Sequence, residues 1–235
     1  MKIMNYEIFT DDISTIDLES GYVINTLNAH SYVMSKRDKL FNKALNDSNF
    51  LIPDGSGIVL AAKHINKQKI KKVAGSDLHE FLLEISNKKN AKVFYMGSSQ
   101  STLDKIHRKI KNEYPNIIVE SYSPPFKEKF SDADNYEIIS KINEFNPDIL
   151  FIGMTAPKQE KWLHINKNHL KFKTACSIGA VFDFYAGTVD RPNIFWINLI
   201  GEALSRFIKE PRRLWRRNII SIPLFLLDVF LYKFE

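Results

Sequence analysis

Short apolar runs alternate along the chain with longer segments in which apolar residues recur every three or four positions. The short runs are typical of strands covered on both faces, and the longer spacing is typical of amphipathic helices. The predicted strands are Tyr22–Thr26, Phe50–Ile52, Lys92–Met96, Ile117–Ser121, Asp148–Ile152 and Thr174–Ile178. The predicted helices fill the gaps between them, at about 30–47, 56–66, 76–89, 100–113, 132–145 and 156–168.

This alternation predicts the fold class. Strands and helices that take turns, with short connections, favour an α/β protein with a doubly wound, mostly parallel sheet. We find no internal repeat and no low-complexity segment. The alternation stops after residue 190, so we predict an α/β core over residues 1–190 and a helical appendage over residues 191–235.

Small and polar residues follow several of the predicted strands. The carboxyl ends of parallel strands meet at one edge of the sheet, and ligands bind in the crevice beyond that edge. We call the loops at this edge the rim. The candidate rim residues are Thr26, Asn28, Asp54, Gly55, Gly57, Gly97, Ser98, Gly153 and Gln159.

Asp54 stands between a strand and a helix in the stretch "LIPDGSGIVLAAK". Gly55 and Gly57 let the backbone approach a ligand closely, which favours a catalytic carboxylate. A general base must reach the proton of a substrate hydroxyl, and an aspartate is ionised at neutral pH. The alternative is that Asp54 caps the helix that follows, because aspartate accepts hydrogen bonds from free backbone N–H groups there. The stretch alone leaves both interpretations open.

Composition indicates a globular protein of one α/β unit. The chain has 235 residues, of which 44% are apolar and 26% charged. Its single cysteine, Cys176, lies in an apolar stretch and has no partner for an internal disulfide, so we expect a buried thiol in a reducing compartment. The N-terminal residues are polar from the fifth position, which predicts a cytoplasmic protein.

The net charge of +6 is concentrated near the C-terminus. Residues 206–217 hold six basic residues and one acidic residue, so we predict a single basic patch in the appendage. Such a patch suits an anionic membrane surface, a diphosphate or a nucleic acid. The apolar stretch 219–235 favours lipid, and because it contains Pro223 and Asp228 we expect it to lie at the membrane interface rather than span the bilayer.

Two other motifs carry weaker signals. The triplet Asp132-x-Asp134 is of the kind that holds a divalent metal, but it opens a predicted helix, where acidic residues and a Ser131 cap are expected. We therefore predict no metal site. The stretch "GSSQSTLDKIHRKI" is neither a dinucleotide-binding GxGxxG motif nor a P-loop, although the start of its helix suits a phosphate.

Six stretches together resemble one family. "PDGSGIVLA", "AGSDL", "VFYMGSS", "DILFIGMTAPKQEKW", "IGAVFDFYAGTVDRP" and "EPRRLWRR" occur in the order found in the WecG/TagA/CpsF glycosyltransferases. The resemblance implies a Rossmann-like core with a C-terminal appendage that associates with the inner face of the cell membrane. It also implies an inverting reaction without metal or cofactor, from a UDP-sugar to a polyprenyl-diphosphate-linked acceptor in surface-polymer synthesis. N-acetylmannosamine is the favoured sugar, with other hexoses open.

The resemblance also implies roles for individual residues. Asp54 corresponds to the family's general base, and Thr26, Asn28 and Gln159 correspond to residues that hold the donor or acceptor. Arginines from the appendage bind the diphosphate: Arg191, Arg206, Arg212, Arg213, Arg216 and Arg217. Two rival functions are a non-catalytic, membrane-docked module that binds nucleotide sugars and a basic nucleic-acid-binding protein. We favour the enzyme and expect no nucleic-acid partner; a homo-oligomer stays open.

Overall fold

A computed structural model describes residues 1–17, 21–189 and 215–232. Its strands are β1 (Lys2–Ile3), β2 (Tyr6–Glu7), β3 (Tyr22–Leu27), β4 (Phe50–Pro53), β5 (Lys92–Gly97), β6 (Ile118–Tyr122), β7 (Ile149–Gly153) and β8 (Thr174–Ser177). Its α-helices are α1 (Ala29–Ser35), α2 (Lys39–Asn46), α3 (Ser56–Ala61), α4 (Gly75–Lys88), α5 (Gln100–Glu113), α6 (Asp132–Phe145), α7 (Lys158–Asn166), α8 (Val181–Ala186) and a C-terminal helix (Ile222–Tyr232). Two π-helical turns, Ala62–Asn66 and Arg216–Ser221, and two 3₁₀ turns, Ile13–Thr15 and Lys167–His169, complete the described elements.

Six strands form one sheet in the order β4-β3-β8-β7-β5-β6, and each neighbouring pair is parallel. Because side chains alternate along a strand, each strand feeds both faces of the sheet. Apolar side chains of α4, α5 and α8 cover one face, and those of α6 and α7 cover the other. The predicted doubly wound α/β fold is confirmed.

A third apolar cluster lies at the β4 edge of the sheet. Leu27 and Leu51 pack there against α1, α2, α3 and the short hairpin of β1 and β2. Phe225 and Val229 of the C-terminal helix are buried in the same cluster, with at most 4% of either side chain exposed. This part of the predicted appendage therefore packs on the core. The division at residue 190 stays a prediction, because residues 190–214 lie outside the described ranges.

The structure corrects the bounds of several predicted helices and strands. The helix expected over residues 30–47 is two helices, because Asp38 accepts a hydrogen bond from the Phe41 backbone N–H and so caps a new start. The helix expected from residue 156 begins at Lys158, since Pro157 is its non-helical N-cap. Strands β6 and β7 are each displaced by one residue from their predicted bounds. The hairpin of β1 and β2 and helix α8 were not predicted, because elements this short show no clear periodicity.

Candidate functional site

The turn that carries Asp54 joins β4 to α3 at the edge of the sheet. The Asp54 backbone N–H donates to the Leu27 carbonyl (2.9 Å), which continues the pairing of β4 with β3 beyond Pro53. Gly55 follows with φ +95° and is the N-cap of α3. Asp54 itself is half-buried and lies one residue before the cap, so the interpretation that it occupies the cap position is wrong.

Asn28 lies beside this turn. A Cβ built on Gly55 would stand 3.8 Å from the Asn28 Cβ, so the end of β3 and the Asp54 turn are in contact. The Asn28 Oδ1 caps α1 by accepting from the backbone N–H groups of His30 and Ser31, each at 3.0 Å. Its Nδ2 makes no hydrogen bond within the described residues and is available to a ligand. Thr26 lies two residues before Asn28, is half-buried and pairs with Ile52 of β4.

The C-terminal segment packs against the same corner. The Phe225 ring would lie 3.3 Å from a Cβ on Gly57, and it meets the Tyr32 ring edge-on at 5.3 Å between centroids. The Ser221 hydroxyl hydrogen-bonds His30 Nδ1 at 2.8 Å. These contacts place the π turn Arg216–Ser221 next to the first turn of α1.

Two of the predicted diphosphate-binding arginines belong to this π turn. Burial of the imidazole lowers the pKa of His30, and the positive charge of the half-buried Arg217 adds to this shift. Arg216 is exposed and lies over the Trp215 ring, 5.4 Å from its centroid. The other four predicted arginines, Arg191, Arg206, Arg212 and Arg213, lie outside the described residues.

Gly97 and Gly153 lie opposite each other at the ends of β5 and β7. A Cβ on Gly97, which has φ +118°, would stand 2.5 Å from the Gly153 carbonyl oxygen. A Cβ on Gly153 would stand 2.4 Å from the Phe182 ring. Close packing therefore accounts for both glycines without a ligand. Ser98 is half-buried with φ +60°, and Ser99 caps α5 by accepting from the Thr102 N–H.

Gln159 lies at the start of α7 and is only 4% exposed. Its Oε1 accepts from the Met154 N–H (3.3 Å) and its Nε2 donates to Glu160 Oε1 (2.8 Å). A Cβ on Gly179 would stand 3.6 Å from the Gln159 Oε1, so the carboxamide lies below the loop after β8. Gln159 thus reaches the rim between β7 and β8.

Glu160 is a buried carboxylic acid that the sequence analysis did not single out. Burial raises its pKa to about 7, and its Oε2 has no hydrogen-bond partner among the described residues. Its position directly after Gln159 was the only sequence signal, and an acid in the first turn of a helix is usually solvated. In the first turn of α7, the side chains of Gln159 and Glu160 are both buried.

The strand order divides the rim into two ends. Asp54 follows β4 and Gly97 ends β5, with β3, β8 and β7 between them. Four steps of about 4.8 Å between neighbouring strands give roughly 19 Å along the sheet. Asp54, Asn28 and the C-terminal segment therefore form one end, Gly97 and Ser98 form the other, and Gln159 lies between them.

Two predicted structural roles are confirmed. Asp134 is the third residue of α6 and forms a capping box with Ser131, and an ion pair with Lys127 helps to lower its pKa to about 2. No group of three or more potential metal ligands occurs within the ranges the structure describes. Cys176 is fully buried in β8, and burial raises the pKa of its thiol.

Comparison with known proteins gives matches along nearly the whole chain. Residues 2–235 match the model of the Glycosyl transferase WecG/TagA/CpsF family. A protein of Bacillus subtilis (strain 168) is 35% identical over 216 residues, which are 91% of this chain and 81% of the relative. One of Bacillus spizizenii is 29% identical over 88% of this chain and 78% of its own, and one of Staphylococcus aureus (strain MW2) is 24% identical over 97% and 85%. All three are named N-acetylglucosaminyldiphosphoundecaprenol N-acetyl-beta-D-mannosaminyltransferase.

Proposed function

Because the chain belongs to the WecG/TagA/CpsF family of glycosyl transferases, we propose that it moves a sugar from a UDP-sugar to an acceptor linked to a polyprenyl diphosphate. The names of the three relatives make N-acetylmannosamine the favoured sugar and N-acetylglucosaminyl-diphospho-undecaprenol the favoured acceptor. Such a reaction serves the synthesis of cell-surface polymers. The single observation that carries the proposal is the corner at which Asp54, Asn28 and the arginine-bearing π turn meet.

Asp54 is the general base in this proposal. Its carboxylate takes the proton of the acceptor hydroxyl as that oxygen attacks the anomeric carbon. The bond from that carbon to the diphosphate breaks, UDP leaves with the bonding electron pair, and the configuration inverts. The half-buried position of Asp54 supports this role, because it keeps the carboxylate close to a bound hydroxyl and partly shielded from water.

The leaving diphosphate needs positive charge close to Asp54. Arg217 supports this role because its charge acts on His30, two residues after Asn28. Arg216 follows Trp215 on the same π turn. Preorganised cations at a leaving group lower the barrier without a metal ion. Gly97 and Ser98 are roughly 19 Å from Asp54 by strand spacing, too far to share this task, so they fit a remote part of the donor.

The C-terminal helix offers a surface for the membrane. Its buried side chains, Phe225 and Val229, face the core, and the opposite side exposes a continuous set of apolar residues. We call the exposed apolar residues of this helix and of the π turn before it the C-terminal stripe: Ile219, Ile220, Leu226, Leu227, Phe230 and Leu231. Among the described residues, no helix is both long and apolar enough to cross a bilayer. A stripe of this kind suits a helix that lies in the interface with its apolar side among the lipids.

The test is UDP release from a panel of UDP-sugars, with a polyprenyl-diphosphate-linked acceptor analogue and with or without EDTA. We expect acceptor-dependent release from UDP-N-acetylmannosamine that EDTA leaves unchanged. Release that requires a divalent metal would contradict the arginine-based account of the leaving group. Binding of UDP-sugars without release, for every donor and with the acceptor present, would favour the non-catalytic binding module instead.

A further inference from the structure

The segment that follows α3 is strongly basic. Residues 63–72 hold five lysines and no acidic residue, so the prediction of a single basic patch in the appendage is wrong. The net charge of the chain does not reveal this segment, because acidic residues elsewhere offset its positive charge. Lys63, Lys67 and Lys69 are exposed and form no ion pair with another described residue. Lys71 differs: hydrogen bonds from Ser14 lower the pKa of the Asp12 carboxyl, and the charge of Lys71 adds to that effect.

These lysines adjoin the C-terminal stripe. Leu60 lies in α3, and Lys63 and His64 lie in the π turn that continues it. The His64 ring stacks on Phe230, with 6.4 Å between centroids and 30° between planes. Leu60 is 49% exposed and Phe230 is 55% exposed. Helix α3 and the C-terminal helix therefore share one exposed apolar surface, and Lys63 lies along it.

The basic segment also leads back to the catalytic corner. After the π turn Ala62–Asn66 the chain returns along the edge of the sheet, and the Val73 backbone N–H donates to the Pro53 carbonyl (3.0 Å). Asp54 is the next residue after Pro53. A membrane surface in contact with Lys63, Lys67 and Lys69 would therefore also restrain the edge of the sheet at which Asp54 lies.

We propose that Lys63, Lys67 and Lys69 bind the anionic headgroups of the membrane, as a contact made by the core in addition to the C-terminal stripe. This inference rests on the proposed function, because it assumes that the stripe inserts into a bilayer. Stable attachment to a membrane commonly needs an apolar anchor together with a basic patch. The stripe supplies the first and the three lysines the second. Two contacts also fix the rotation of the core, so that the Asp54 corner stays at the membrane where the lipid-linked acceptor arrives.

The first experiment compares variants in co-sedimentation with vesicles. The full chain and the variant Lys63→Gln/Lys67→Gln/Lys69→Gln are mixed with phosphatidylcholine vesicles that contain or lack phosphatidylglycerol. A lysine near an anionic surface contributes roughly fivefold to partitioning, so three should contribute on the order of 100-fold at low salt. We expect a loss of that size on the anionic vesicles and little change on the neutral ones. The matched control, Lys105→Gln/Lys111→Gln/Lys141→Gln, removes exposed lysines from α5 and α6 and should bind normally.

A second variant separates this inference from the proposed function. Leu227→Gln/Leu231→Gln weakens the C-terminal stripe and leaves the three lysines in place. If it binds anionic vesicles like the unchanged chain, the docking role of the stripe is wrong. If it fails to bind while the variant of Lys63, Lys67 and Lys69 binds normally, only the core contact is overturned.

Competition by an oligonucleotide tests the alternative that these lysines bind nucleic acid. An oligonucleotide that displaces the full chain from vesicles, but does not displace the variant of Lys63, Lys67 and Lys69, would assign these lysines to nucleic acid and overturn the proposal.

The salt dependence of vesicle binding tests the inference when the unchanged chain is compared with the variant of Lys63, Lys67 and Lys69, because salt also screens the arginines of the appendage. Headgroup contacts by exposed lysines are screened as ionic strength rises, whereas apolar insertion is not. We expect binding to anionic vesicles to fall more steeply with salt for the unchanged chain than for the variant. An equal fall in both would contradict a contribution from the lysines.

Discussion

The two ends of the rim are built in different ways. At the Asp54 end, the turn after β4 is half-buried, the neighbouring Asn28 keeps a free Nδ2 within the described residues, and a Cβ on Gly55 would make only an ordinary contact. At the Gly97 end, a Cβ on either Gly97 or Gly153 would collide with the structure around it. An ordinary contact at Gly55 and the Asn28 Nδ2, unpaired among the described residues, thus mark one end, and close packing marks the other.

This difference shows that glycines at a rim do not all serve the same purpose. Gly55 lets the chain turn so that Asp54 lies at the edge, whereas Gly97 and Gly153 let β5, β7 and α8 approach closely. The chemistry should therefore depend on the Asp54 end, and stability should depend on the Gly97 end.

The largest effect is expected for Asp54→Asn. The amide keeps the shape of the side chain but cannot take the proton of the acceptor hydroxyl. Removing a general base typically slows turnover by about 10²–10⁴-fold. We expect kcat for transfer to fall in that range. The matched control is Asp104→Asn on α5, where the exposed carboxylate accepts a hydrogen bond from Gln100 Nε2. Turnover of Asp54→Asn at the unchanged rate would remove Asp54 from the reaction.

The next effect is expected for Gly97→Ala, at the packed end. The new Cβ would meet the Gly153 backbone at 2.5 Å, and φ +118° is strained for alanine. Together these should destabilise the fold by about 4 kcal/mol. Gly55→Ala shares the strain but lacks the collision, so it should cost about 2 kcal/mol less. The measurement is chemical denaturation of both variants. Equal losses would show that the two ends are packed alike.

Much of the fold could be predicted from local pattern. The six strands of the sheet and their helices alternate as the apolar periodicity indicates, because each of these segments has a period of its own. The order of the strands could not be predicted in this way, because β8 lies between β3 and β7 through contacts that no local pattern encodes. That order is what separates Gly97 from Asp54. The sequence alone assigns Gly97 and Asp54 to one rim and does not indicate the distance between them.

The packing of the C-terminal segment on the core could also not be predicted from the sequence. Phe225 reads as one more apolar residue of a membrane-facing tail, yet it is fully buried against Gly57 and Tyr32. His30 and Ser221 are separated by 191 residues, and nothing near either one predicts their hydrogen bond. Local periodicity indicates which residues are apolar, but tertiary packing decides which of them reach the core.

Glu160 lies between the two ends and gives a pH-dependent prediction. Its pKa is raised from 4.5 to about 7 by burial, so the folded protein holds a proton that the unfolded chain releases in this range. Stability from this group is therefore lost as pH rises from about 4.5 to about 7. Glu160→Gln removes the titration and keeps an acceptor for Gln159. We expect the variant to gain up to roughly 3 kcal/mol relative to the unchanged chain above this range, and much less below it.

Thermal unfolding at several pH values checks this prediction. The difference in melting temperature between Glu160→Gln and the unchanged chain should grow across the range and then level off. His164→Gln serves as a control, because burial lowers the pKa of that imidazole and its titration would act in the opposite direction. A difference for Glu160→Gln that is constant with pH would mean that Glu160 does not titrate in this range.

The smallest effects are expected at Asn28, where capping and ligand binding meet in one side chain. Asn28→Ala removes the oxygen that caps α1 and should cost about 1 kcal/mol of stability. Asn28→Ser keeps an oxygen that can cap the helix but removes Nδ2, and serine is about as good an N-cap as asparagine. We therefore expect Asn28→Ser to unfold like the unchanged chain and to lose about 10-fold in kcat/KM, the effect of one hydrogen bond to substrate. Asn28→Ala should lose both. If Asn28→Ser transfers sugar normally, Asn28 serves only the helix, and the ligand-binding part of the Asp54 end is reduced to Asp54 and the π-turn arginines.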